Sequence, residues 1–196
     1  RTTAEESARR AAGTRASAAI IMIAPFAMLA AFVYHPHIAF LPDANAVAHA
    51  VHGDTFRWAV AHWGLGMASP LMAAAWGAIR ENHRDAGENR WSGVALPFLV
   101  FGATVYAILP GMEFTVLAAT RTGGDVVAAQ KAIDSWFVPT IMIAGITNAV
   151  GLFFLARAIM RSSVLADGPK GMVVAALYTM AVSRLVPIGP VQFYVQ

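Results

Sequence analysis

Apolar residues run through this chain in long stretches, broken by short polar ones. A run of about 20 apolar residues is enough to cross a bilayer as a helix. Five such segments are predicted, at about 16–34, 56–79, 91–119, 136–160 and 171–190. The expected fold class is all-α, a polytopic transmembrane bundle. Residues 1–15 form a tail and 16–196 the bundle. An apolar run ends shortly before Gln196, so a longer chain with a sixth helix fits the same pattern.

The polar stretches set the punctuation. Thr3 and Glu6 have capping-box spacing, which predicts a short surface helix in the tail. Arg9 and Arg10 are adjacent, but the next apolar run is too long for a signal-peptide core. A retained signal-anchor helix is expected. Pro36, between His35 and His37, blocks continuation of the first helix. Residues 41–55 read as a loop, as do the charged stretch 80–90 and residues 120–135 and 161–170. Within the third of these, Val126–Ile133 has the pattern of a short interfacial helix. Pro187, Gly189 and Pro190 are expected to break or kink the last helix. Asp54-Thr55 and Asp134-Ser135, eighty positions apart, each place an acid and a hydroxyl where a helix should start. That is good capping chemistry, with or without an internal repeat.

Charge gives the segments a direction. Ten of the 14 Lys and Arg residues fall in the tail, in 80–90 and in 157–170, against Arg57, Arg121 and Lys131 opposite. Short cytoplasmic loops carry the positive excess, so the N-terminus is expected inside. Trp58, Trp63, Trp91 and Trp136 stand near helix starts, as an interfacial aromatic belt requires.

Composition agrees. The chain is 58% hydrophobic and 13% charged, whereas soluble domains carry about 25% charged residues. Lipid is therefore the expected partner of the apolar surface. The sequence pI of about 9.7 comes from residues spread over loop ends, which argues against nucleic acid. There is no cysteine, hence no disulfide and no thiolate metal site. No P-loop, dinucleotide fingerprint, Ser–His–Asp set or H-E-x-x-H motif occurs. Lys131 and Lys170 both lie in loops, so no retinal Schiff base is expected.

Two sets of residues stand out as candidate chemistry. His62, Glu113, Asn148 and Arg184 lie inside apolar segments, where ionisable groups normally face a protein interior or a cavity. At a rise of about 1.5 Å per residue, His62, Glu113 and Arg184 fall in the outer half of the bilayer. A Glu113–Arg184 ion pair with His62 nearby would satisfy all three. This cluster could bind a ligand, relay protons or lock the helices. A single buried His62 is a poor haem or pigment ligand without a second one. The outer histidines His35, His37, His49 and His52 form H-x-H and H-x-x-H units that can offer imidazoles to Zn or Cu. Interfacial histidines without metal fit the same spacing. A third feature is a stripe of small residues: Ser69, Ala73 and Gly77 on the second helix, Gly145 and Ala149 on the fourth. Such faces let helices approach closely, within the chain or against another membrane subunit. Pro70, Pro97, Pro110 and Pro139 mark sites of kinking.

The H-G-D-T-F-R-W start of the second helix and the stretch LFFLARAIMRSSVLADGPKGMVVAAL (Leu152 to Leu177) resemble a broad group of bacterial multi-pass membrane proteins of five or six helices. The group brings no established chemistry to particular residues. The resemblance implies a bacterial cytoplasmic-membrane location. Three functions follow as expectations: a non-catalytic accessory subunit of a respiratory, photosynthetic or oxygenase complex; a small transporter or ligand-binding protein using the buried cluster; and a metal or redox protein using the outer histidines.

Overall fold

A computed structural model describes residues 2–38 and 43–185, the first eleven of them (2–12) as backbone. The described chain is all-α. Its helices are α1 (Thr2–Tyr34), α2 (Ala44–Gly53), α3 (Thr55–Asp85), α4 (Arg90–Thr122), α5 (Val126–Arg161) and α6 (Asp167–Ser183). Three are long and apolar enough to cross a membrane: the Gly13–Tyr34 part of α1, α4 and α5. α3 has the length, at 31 residues, but its Trp, Gly, His, Ser and Pro content dilutes its hydropathy. α6 has 17 described residues and falls short in length. The structure thus supports a membrane-spanning helical protein.

Several boundaries differ from the sequence-based expectation. The tail helix and the first apolar helix are one element, because nothing between Glu6 and Ala16 breaks a helix. Residues 44–53, read as loop, form α2. Asp43 caps it, accepting from the Asn45 and Ala46 amides at 3.1 Å. Ala44, Val47, Ala48 and Val51 bury the i, i+3, i+4, i+7 face of an amphipathic helix. The residues 126–133 segment continues without a break into α5. Asp125 caps it through the Ala128 amide, and Asp134 lies inside the helix instead of opening it, bonded by Gln130. Asp54 does cap α3, through the Arg57 amide at 2.8 Å. The turn between α3 and α4 is cut to four residues, with Gly87 at φ 82°. Pro187, Gly189 and Pro190 lie outside the described residues.

The helices pack in the order α1–α3–α4–α5–α6, with α2 laid across the α4 and α5 ends. Among the described residues α1 and α6 stand at the two ends of this row. The α4–α5 contact is closest. A Cβ on Gly151 would sit 2.6 Å from Leu99 Cγ and 3.0 Å from the Leu99 nitrogen. Gly102 likewise makes room for Asn148 from α5. Beside a small cluster of Ala31, Phe32 and Leu65 between α1 and α3, two larger apolar cores result among the described residues. One, at the α3–α4 turn end, includes Trp76, Leu99, Leu152, Leu155 and Ile159. The other, under α2, includes Ile38, Val47, Val51, Trp58 and Val116.

The tryptophans divide between surface and core. Trp63 and Trp136 are exposed, at 64% and 72%, as belt residues would be. Trp58 is fully buried instead. Its ring belongs to the site described next.

Candidate functional site

Three elements converge beneath α2. The turn after α1 brings His35, α3 brings His62 and α4 brings Glu113. All three side chains are buried. Their ligating atoms all lie within 4.8 Å of one another, the one such grouping of His and acidic residues among the described residues.

Local structure aims each side chain. The Arg57 Nε donates to the Tyr34 carbonyl at 2.7 Å, and its Nη2 to the His35 carbonyl at 3.4 Å. This staples the start of α3 to the end of α1 and holds the turn that carries His35. Trp58, four residues before His62 and hence on the same helix face, stacks on the His62 ring with centroids 4.3 Å apart. Its Nε1 donates to the Glu113 carbonyl at 3.4 Å. One residue therefore braces two members of the triad.

The hydrogen bonds fix the tautomers. His62 Nδ1 lies 2.6 Å from the Trp58 carbonyl, and His35 Nδ1 lies 2.7 Å from the Pro36 carbonyl. A carbonyl oxygen only accepts, so each Nδ1 must carry its proton. In the neutral rings both Nε2 atoms then present lone pairs. Those two atoms face each other at 3.3 Å, and the Glu113 Oε2 closes on His62 Nε2. Three acceptors pointing at one place repel unless a cation sits among them. A proton or a metal ion meets that need. The Nδ1–H···O=C arrangement is the outer-shell support that metal-binding imidazoles usually have. The 3.3 Å separation of the nitrogens equals the ligand edge of a tetrahedral zinc with bonds of about 2.05 Å. Beside the triad lies a cavity of about 40 Å³, walled by Leu65, Tyr106, Leu109, Pro110, Phe137 and Ile141. A water needs only about 15 Å³ of such space, so an exchangeable fourth ligand fits.

The structure regroups the residues singled out from sequence. His62 and Glu113 stand together as expected, but Glu113 takes His62 as its partner. Arg184 lies instead over the Tyr106 ring, 5.6 Å from its centroid. It shares a different cavity with Asn148, further along the bundle. The outer set also divides: His35 turns inward to the triad, while His37, His49 and His52 are exposed. His52 bonds the Ala48 carbonyl of its own helix. Of the small residues, Ser69 is fully buried and its hydroxyl donates to the Leu65 carbonyl. Gly145 meets the Arg184 carbonyl, 2.9 Å from where a Cβ would stand. Ala149 packs against the α4–α5 core. Ala73 is half-buried, and Gly77 has open space around it.

Arg57, Trp58 and Tyr106 have structural roles here that their sequence positions alone did not announce. The i, i+4 spacing of Trp58 and His62 was the available signal. At the other end of the bundle, Glu88 is a second buried acid. It accepts from the Trp91 amide at 2.6 Å and the Ser92 amide at 2.9 Å, capping α4. Burial pushes its carboxyl up, but the Trp91 and Ser92 bonds and nearby His83 outweigh that and hold it below the usual range.

Comparison with protein families, with curated proteins and with solved structures returns no match for this chain.

Proposed function

We propose that this chain is a metal-binding integral membrane protein, holding one divalent transition-metal ion on His35, His62 and Glu113, with zinc the best fit. Five crossings, a cytoplasmic N-terminus and a bacterial cytoplasmic membrane complete the reading, carried by the Lys and Arg distribution. The site then lies near the outer face. The observation that carries the metal reading is the convergence of two tautomer-fixed Nε2 atoms and a buried carboxylate on one point. Two imidazoles, a carboxylate and an adjacent water-sized cavity describe an open coordination site. Such an ion binds an exchangeable ligand and lowers the pKa of a bound water. That favours ligand binding or metal handling over a closed structural site.

The test is zinc titration of chelator-treated protein in detergent, with elemental analysis. About one zinc per chain is expected for a three-ligand site. His35→Ala and Glu113→Gln should each abolish stoichiometric retention while leaving helicity intact. Equal zinc content in wild type and both variants would sink the proposal.

A second reading follows from the close His62–Glu113 contact. The cation is then a proton, and the triad locks α3 to α4. In that case no metal is retained, and the same substitutions change stability alone. An accessory-subunit role rests on the small-residue faces. Gly102, Gly145 and Gly151 are already used within the chain, while a Cβ on Gly77 would meet open space.

A further inference from the structure

The end of the bundle that carries the α3–α4 turn is strongly basic. Arg80, Arg84, Arg90, Arg157, Arg161 and Lys170 stand there, against Glu81, Asp85, Glu88 and Asp167. Some of these cations are already matched. Arg84 pairs with Glu81 and Asp85, and Lys170 with Asp167. Arg80 bonds the Asn89 side chain at 2.6 Å and pairs with Glu81 at 3.5 Å. Glu88 is turned into the start of α4, on the Trp91 and Ser92 amides.

Two guanidiniums are placed differently. Arg90 is the first residue of α4, and Arg157 lies near the end of α5. Each holds its guanidinium carbon 4.8 Å from the centroid of the same ring, Trp91, in cation–π contact. The two charges therefore stand within about twice that distance of each other. Among the described residues neither is hydrogen-bonded or ion-paired, and the Arg157 Nε is buried without a partner. Two like charges held on one indole with no acid between them repel. An anion bound to both removes that repulsion.

The shared ring continues into an apolar strip. Phe154 of α5 stacks on Trp91, with planes 11° apart and centroids at 5.9 Å, and its ring lies 6.2 Å from that of Phe98. Val94, Phe98 and Phe101 follow Trp91 at helical spacing and are exposed. α4 and α5 are both long and apolar enough to cross a membrane, which sets this strip against acyl chains.

We propose that Arg90, Trp91 and Arg157 hold the phosphate of an anionic phospholipid, with one acyl chain lying along Val94, Phe98 and Phe101. A guanidinium fork binds phosphate oxygens two at a time. Charge selects an anionic head. The continuity of the cations with the exposed apolar strip selects a lipid, since an acidic peptide or a free phosphate would leave the strip uncovered. Most of the length of α4 separates this site from Glu113, so it stands apart from the triad and its metal.

The test is native mass spectrometry of the delipidated full chain in detergent. The chain is titrated separately with dioleoyl phosphatidylglycerol, dioleoyl phosphatidylcholine and inorganic phosphate. Phosphatidylglycerol should bind saturably and about tenfold or more tighter than phosphatidylcholine, and an equal concentration of inorganic phosphate should not displace it. Arg90→Gln and Arg157→Gln should each weaken phosphatidylglycerol by about tenfold or more, the scale of one charge-assisted hydrogen bond. Arg84→Gln removes the same charge from the same end, but from a guanidinium that already has its acids; it should leave the affinity unchanged. Arg90 is exposed, so its variant decides the matter if Arg157→Gln does not fold. Equal binding of the two lipids would overturn the proposal. So would a loss in Arg84→Gln as large as in Arg90→Gln, the mark of a diffuse attraction between basic residues and an anionic surface. Inorganic phosphate that binds saturably and displaces the lipid would assign the site to a free anion and overturn it equally.

Discussion

Gly102→Ala tests the α4–α5 contact with one methyl group. The new Cβ would lie 2.5 Å from Asn148 Nδ2, 2.8 Å from its Cγ and 3.0 Å from Thr147 Oγ1. Each distance is inside ordinary van der Waals contact. The nearest atoms belong to a side chain, so Asn148 can swing away, at the loss of its bond to the Ala144 carbonyl. Overpacking costs about 1–3 kcal/mol and the lost bond about 1 kcal/mol. Replacing a mid-helix glycine with alanine returns about 1 kcal/mol. The net expectation is a destabilisation of about 2 kcal/mol. Asn148→Ala alone should cost about 1–2 kcal/mol, from the lost bond and a small void. In that background the methyl has room, and Gly102→Ala should become neutral or mildly stabilising. The coupling between the two sites is then about 2 kcal/mol, measured as a double-mutant cycle by SDS-induced unfolding in mixed micelles followed by circular dichroism. Additive effects, within about 0.5 kcal/mol, would refute the packing described here.

Other substitutions probe the remaining elements. Gly151→Ala should destabilise by about 1–3 kcal/mol with no rescue at a neighbouring side chain, because the clash reaches the Leu99 backbone nitrogen; thermal melting in detergent reads this. Asp43→Ala should cost about 1 kcal/mol and should appear as faster amide hydrogen exchange confined to α2. Glu88→Gln addresses pH. The folded carboxyl is held below its ordinary value, so its contribution is present above the unfolded pKa and is lost as pH falls through the folded one. The wild type should lose stability on acidification through that window, and Glu88→Gln should show a flatter profile there. Identical profiles would contradict the capping role. Trp58→Phe should keep the stack on His62 but release the Glu113 carbonyl, lowering zinc affinity by about tenfold or more, as outer-shell substitutions do.

The membrane character was legible because composition and run length decide it without tertiary information. Caps were partly legible. Asp54 opens α3 as its chemistry demands, yet the same pattern at Asp134 lies mid-helix, because Asp125 starts α5 nine residues earlier. A local cap signal cannot say which of two acids begins the helix. α2 was hidden by its shortness and by its histidines and glycine, although Asp43 and the alanine–valine face were both in view. His62 and Glu113 could be paired by depth, since helix rise converts residue number to height. Depth says nothing about rotation around the helix axis. That is why Arg184, at a similar depth along its helix, reads as a partner of Glu113 but lies over Tyr106. His35 sat outside the apolar run and read as surface. The Arg57 bonds to the Tyr34 and His35 carbonyls and the ring contacts with Trp58 and His62, all tertiary, hold it inward.

The cation among His35, His62 and Glu113 is the centre of the proposed function. Zinc K-edge X-ray absorption on the zinc-loaded protein examines that point directly. The expected first shell has imidazole nitrogens and carboxylate or water oxygen at about 2.0–2.1 Å, four-coordinate. Two imidazoles should be resolved by their outer-ring scattering, falling to one in His35→Ala. A shell of oxygen alone, or an imidazole count unchanged by His35→Ala, would contradict it.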